Sequence, residues 1–110
     1  MKELVILDVI GNNNAILREF GLMIFKEIKS SIDNGDKVQL SFEGLKCVNS
    51  AFCHASIGNI FETFGENAYS LIEITGISKD VWKEKIKEAI YFALNPEQKE
   101  IHENLILELF

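Results

Sequence analysis

A chain of 110 residues, 47% hydrophobic and 25% charged, has the length and composition of one globular domain and excludes a disordered polymer. Its formal net charge of −6 argues against a nucleic-acid binder, which needs a basic stripe, and against docking on anionic lipid. No stretch approaches the roughly 20 apolar residues of a membrane span. Leu4-Val5-Ile6-Leu7 is too short for a signal-peptide core and runs straight into Asp8, so the expected location is cytoplasmic.

In chain order, residues 3–10 are aliphatic and β-branched and end at Gly11-Asn12-Asn13-Asn14, which predicts a strand and a loop. Asn14 stands where a helix N-cap belongs. Residues 15–33 follow as a helix, with Leu17, Phe20, Ile24 and Ile28 on one face and Ile16 and Met23 widening it. Asp33-Asn34-Gly35-Asp36 stops it. Residues 37–42 alternate, Val38, Leu40 and Phe42 against Lys37, Gln39 and Ser41, as in a strand with one buried face.

Residues 50–65 predict the next helix, through Ile57, Ile60, Phe61 and Phe64, with Ala51, Ala55 and Gly58 as a small-residue stripe beside them. Residues 69–75 predict a strand. Ser78 is placed to cap a helix over 79–94 built on Trp82, Ile86, Ala89, Ile90 and Ala93. Asn95-Pro96-Glu97-Gln98 carries the cap, first-turn proline and capping-box signals of a helix restart. Ile101, Leu105 and Leu109 suit a helix, whereas Leu105, Leu107 and Leu109 also alternate as in a strand. Strands alternating with helices imply an α/β domain over 1–110, with a small, mostly parallel sheet of about three to four strands and about four helices. In such sheets function gathers at the carboxyl ends of strands, which directs attention to residues 11–15 and 43–50.

Chemistry is scarce. No Gly-rich phosphate loop and no nucleophile elbow is present. His54 and His102 fall in different helices. Cys47 and Cys53 have neither redox nor zinc spacing and read as reduced, largely buried thiols. No catalytic residue, metal site or cofactor is expected. Asp8 and Glu43 could meet at the sheet edge, but solvated carboxylates are the simpler expectation. Trp82 reads as packing, and the lysine–glutamate run from Lys83 to Glu88 as a wet helix face.

One segment goes further. Ser41-Phe42-Glu43-Gly44-Leu45-Lys46-Cys47-Val48-Asn49-Ser50-Ala51-Phe52 resembles the signature of STAS domains, the fold of the anti-sigma-factor antagonists, which runs D-apolar-S-G-apolar-x-x-apolar-D-S-S-G. The two align without a gap. Gly44, Leu45, Val48 and Ser50 agree. Ser41 and Asn49 replace the aspartates, Ala51 the second serine and Phe52 the glycine. These departures, with Arg18 near the start of the first long helix, resemble the STAS-like family of unknown function, over residues 14–94.

The resemblance implies a non-enzymatic bacterial signalling module. Its implied partner is a histidine-kinase-like ATPase, and Ser50 matches the serine that such a kinase phosphorylates. The phosphate would add about −1.5 to −2 charges to the docking surface. The expected partner-binding residues are Gly44, Leu45, Asn49, Ser50, Phe52, His54 and Gly58, with Arg18 as a further candidate. Two alternatives stand beside this one. A homodimer would use the small-residue stripe and the apolar segment Leu105 to Phe110. A small-molecule or nucleotide binder would use Asn12, Asn13 and Asn14 beside Asn49.

Overall fold

The computed structural model describes residues 1–97. The central strand is β3 (Val38–Ser41), flanked by β1 (Lys2–Val5) and β5 (Ile72–Thr75), all parallel. Leu4, Leu40 and Ile74 align across the sheet, as do Glu3, Gln39 and Glu73. Successive side chains point to opposite faces, so the first row meets the core. The second leaves Glu3 and Glu73 exposed and Gln39 half-buried.

β1 is shorter than its apolar run predicts. Residues Ile6–Ile10 curl into α1, which buries Ile6 and Ile10 one turn apart. Gly11 closes it in the left-handed region at φ 66°, its N–H donating to the Leu7 carbonyl at 2.9 Å. Aliphatic runs this short satisfy both periods, and the positive-φ glycine decides for the helix.

Asn14 is not a helix cap. Asn14–Ala15 form β2, which pairs in parallel with Cys47–Val48, β4. Ala15 and Val48 are both buried at this seam. Helix α2 (Arg18–Asp33) starts three residues later than Ala15, after Leu17, and buries Gly21, Ile24, Ile28 and Ser31.

The predicted helix over 50–65 is one continuous rod of three pieces: α3 (Ser50–Cys53), a π-helical turn (His54–Gly58) and α4 (Asn59–Phe64). A π turn widens the coil and disturbs the regular carbonyl pairing. Two side chains repair it, Ser56 Oγ donating to the Phe52 carbonyl at 2.7 Å and Asn59 Nδ2 to the Ala55 carbonyl at 2.8 Å. Ser56 is fully buried. Ser56→Ala is therefore expected to lower unfolding stability by about 1 kcal/mol, measurable as a reduced urea midpoint at constant m-value.

After a 3-10 turn at Gly65–Asn67, residues Ala68–Leu71 form α5 instead of the first half of a strand. The helical turn sets Tyr69 edge-on to Phe61, with ring centroids 4.8 Å apart. Helix α6 (Asp80–Leu94) buries Trp82, Ile86 and Ala89. Its N-cap is Lys79, not Ser78, and no side chain caps it. The π turn of the rod is packed between α2 and α6. Pro96 and Glu97 are helical. The rest of that restart, His102 and the choice between helix and strand at residues 105–110 lie outside the described residues.

Candidate protein-docking surface

The short parallel pair β2–β4 has a consequence out of proportion to its size. Parallel strands end on the same side, so the turns that leave them start two helices side by side: α2 after β2, and the α3–α4 rod after β4. Asn49 joins them. Its N–H donates to the Ala15 carbonyl at 3.3 Å and its Nδ2 to the Ile16 carbonyl at 2.8 Å. Its Oδ1 caps the rod by accepting the Phe52 N–H at 3.0 Å. An aspartate here would lack the donor that reaches Ile16. Asparagine in place of the STAS aspartate therefore both caps and cross-links.

Ser50 is the first helical residue and is half-buried. Among the described residues its hydroxyl takes no partner within the chain. By helix geometry the first N–H groups of the rod have no intrahelical acceptor, and the macrodipole favours negative charge there. Ala51 beside it is exposed. Across the seam stand Ile16 and Leu17, 44% and 47% exposed, and the exposed Arg18. The two turns form one surface with an apolar centre and a hydroxyl at its edge. Helical spacing from residue 15 places Ile16 and Leu17 on a core face. β2 moves the helix start past them and leaves them outside.

The other expected contact residues divide. Gly44 is exposed in the left-handed region at φ 85°, and a Cβ there would lie 2.8 Å from the Leu7 side chain. The left-handed backbone favours glycine there, and the Leu7 side-chain end could shift to admit a Cβ. Leu45 and Phe52 are buried, Phe52 completely. They support the surface from below and are not available to a partner. Gly58 is buried against Ala89 of α6. Ala55 faces Gly21 of α2. Apart from Ala51, the small-residue stripe is thus packed against the chain's own helices. His54 is half-buried on the far flank, stacked on Phe92 at 6.1 Å, its Nε2 3.8 Å from a Glu88 carboxylate oxygen.

Of the cysteines, Cys53 is buried but Cys47 is exposed, contrary to expectation. Burial pushes the Cys53 thiol up to about 12, eased by Lys85 and reinforced by Glu88, so at neutral pH it stays protonated and unreactive. Trp82 packs on Phe42, with centroids 6.4 Å apart. Asp8 and Glu43 are exposed.

The asparagines are also engaged. Asn12 Oδ1 accepts the Asn14 N–H at 2.9 Å and the Asn13 carbonyl accepts the Lys46 N–H at 2.7 Å. Two depressions of about 360 and 290 Å³ open elsewhere, one beside Tyr69 and Tyr91, the other beside Lys26 and Asp33. Asn12, Asn13, Asn14 and Asn49 line neither. Among the described residues no three His, Cys, Asp or Glu side chains gather to hold a metal, and no helix is long and apolar enough to cross a membrane.

A family model described as a STAS-like domain of unknown function matches residues 21–82. No curated protein and no solved structure matches the chain.

Proposed function

Because the chain belongs to the family of STAS-like domains of unknown function, we propose that it is a non-enzymatic, cytoplasmic regulatory module that docks a protein partner on the paired turns after β2 and β4. One observation supports this reading: the parallel β2–β4 seam and the Asn49 bonds to Ala15 and Ile16 set the exposed Ile16 and Leu17 beside the turn that carries Ser50, whose hydroxyl takes no partner among the described residues. An apolar centre gives affinity, and a hydroxyl at its rim gives a place to control it. Phosphate on Ser50 would bring about −1.5 to −2 charges to the edge of that centre. The start of the rod tolerates the charge, so the fold survives and the interface changes. The resemblance to anti-sigma-factor antagonists points to a bacterial histidine-kinase-like ATPase as both partner and modifying enzyme.

A pull-down against an ATPase of that class encoded beside this gene tests the proposal. Leu17→Glu is expected to abolish capture with no loss of thermal stability, because Leu17 is exposed. Ser50→Asp is expected to weaken capture at least tenfold, about 1.4 kcal/mol, and Ser50→Ala to leave it intact. Equal capture by all three variants would sink both the surface and the switch.

A further inference from the structure

Helix α6 grips the strand that leads into Ser50. Lys79 Nζ donates to the Lys46 carbonyl at 3.0 Å, and Lys85 Nζ donates to the Val48 carbonyl at 3.3 Å. Midway between the two lysines, Trp82 is buried against Phe42, and the Lys79 ammonium lies 5.4 Å from the Trp82 ring centroid. Two cations therefore bracket β4 from one side, anchored by the core tryptophan between them. Both spend their charge on neutral carbonyls.

An ammonium prefers an anion. A charge-assisted bond to phosphate or carboxylate is roughly twice as strong as a neutral one. The Val48 carbonyl lies two residues before Ser50, a span of at most about 7 Å, within the swing of a lysine side chain. Cys53, one turn beyond Ser50 on the rod, feels the charges of both Lys85 and Glu88. Lys85 thus stands beside the stretch 48–53 that contains Ser50, with Glu88 as the neighbouring competitor on its own helix.

We propose that Lys85 is the positioning residue of the Ser50 turn, and that negative charge at position 50 draws its ammonium off the Val48 carbonyl. This rests on the reading of the turn as a regulated docking surface. With Ser50 unmodified, Lys85 pins β4 to α6 and holds the apolar centre in shape. With an anion at position 50, Lys85 turns to it and the Val48 carbonyl returns to water. β4 loosens from α6 while the start of the rod is steadied. Lys79, bound farther upstream at Lys46, keeps its hold.

The test is a double-mutant cycle on the full chain, Ser50→Asp against Lys85→Met, read by thermal unfolding and by the carbonyl carbon shift of Val48. Ser50→Asp is expected to raise Tm by about 3 °C more with Lys85 in place than in the Lys85→Met background. The Val48 carbonyl shift is expected to move in Ser50→Asp, to move the same way in Lys85→Met, and to move no further in the double variant. Lys83→Met, on an exposed position, is expected to be additive, and Lys85→Arg to preserve the coupling. Additive Tm shifts for Ser50→Asp and Lys85→Met, or a Val48 carbonyl unmoved by Ser50→Asp, would overturn the proposal. The cycle needs no partner, so its failure is distinct from failure of the docking reading, which only the pull-down reports.

Discussion

Phe52→Ala is expected to cost about 3–5 kcal/mol of unfolding free energy, a large part of the 5–15 kcal/mol typical of a domain. The reason is position. Phe52 is fully buried in the same core cluster as Phe42, Ile57 and Phe61, and its N–H is the group that Asn49 caps. Truncation removes the ring and leaves a cavity directly beneath the turn from β4 into the rod. Urea unfolding of the purified chain measures it, as a reduced midpoint at nearly constant m-value. A loss below about 1 kcal/mol, the scale of an ordinary surface change, would place the ring outside the core. The phenylalanine that stands where the STAS signature has glycine thus acts from below the surface. Binding losses in Phe52→Ala must be read against this instability, which Leu17→Glu avoids.

Gly21→Ala is the second large effect, and it separates two glycines that look alike in sequence. A Cβ built on Gly21 would lie 2.6 Å from the Ala55 Cβ and 2.7 Å from the Phe52 carbonyl oxygen. Neither atom is the end of a flexible chain, so α2 and the rod must separate. Overpacking of this kind costs about 1–3 kcal/mol and occasionally more. The gain from replacing a helical glycine is about 1 kcal/mol at most, so the clash wins and Tm falls by several degrees. On Gly58 the nearest atoms to a built Cβ, Ala89 O and Cys53 O, are both at 3.6 Å, ordinary contact. Gly58→Ala is therefore expected to be neutral or to raise Tm by a few degrees. Paired thermal melts decide the matter. Equal effects at the two positions would contradict the close approach at the π turn.

The long elements were legible because their patterns are long. Val38–Ser41 alternates, and Trp82, Ile86 and Ala89 repeat at helical spacing. The misreadings have separate physical causes. Ile6 to Ile10 is too short for either period to win, and Gly11 tipped it toward a helix. β2 and β4 are two residues each and more than 30 residues apart. Their pairing is a tertiary fact with no local signature, and from it follow both the exposure of Ile16 and Leu17 and the later start of α2. The motif alignment puts Phe52 among the contact residues, whereas the structure buries it completely. The π turn adds a residue to the coil, so a side chain five positions back also faces the core. The motif from Gly44 to Ser50 spans the passage from β4 into the rod. It did not tell that Leu45 and Gly58 are buried while Ile16 and Leu17 of the neighbouring seam are exposed.

The row Glu3–Gln39–Glu73 on the outer face of the sheet has a bearing on crowding. Parallel sheets are usually covered on both faces, and this one carries carboxylates on both edge strands. The central glutamine separates them by two strand spacings, about 10 Å, close to the screening length of physiological salt. Each carboxylate is therefore nearly independent of the other within one molecule. Two molecules meeting sheet to sheet would instead bring four carboxylates together. The row acts as a buffer against stacking of one sheet face on another.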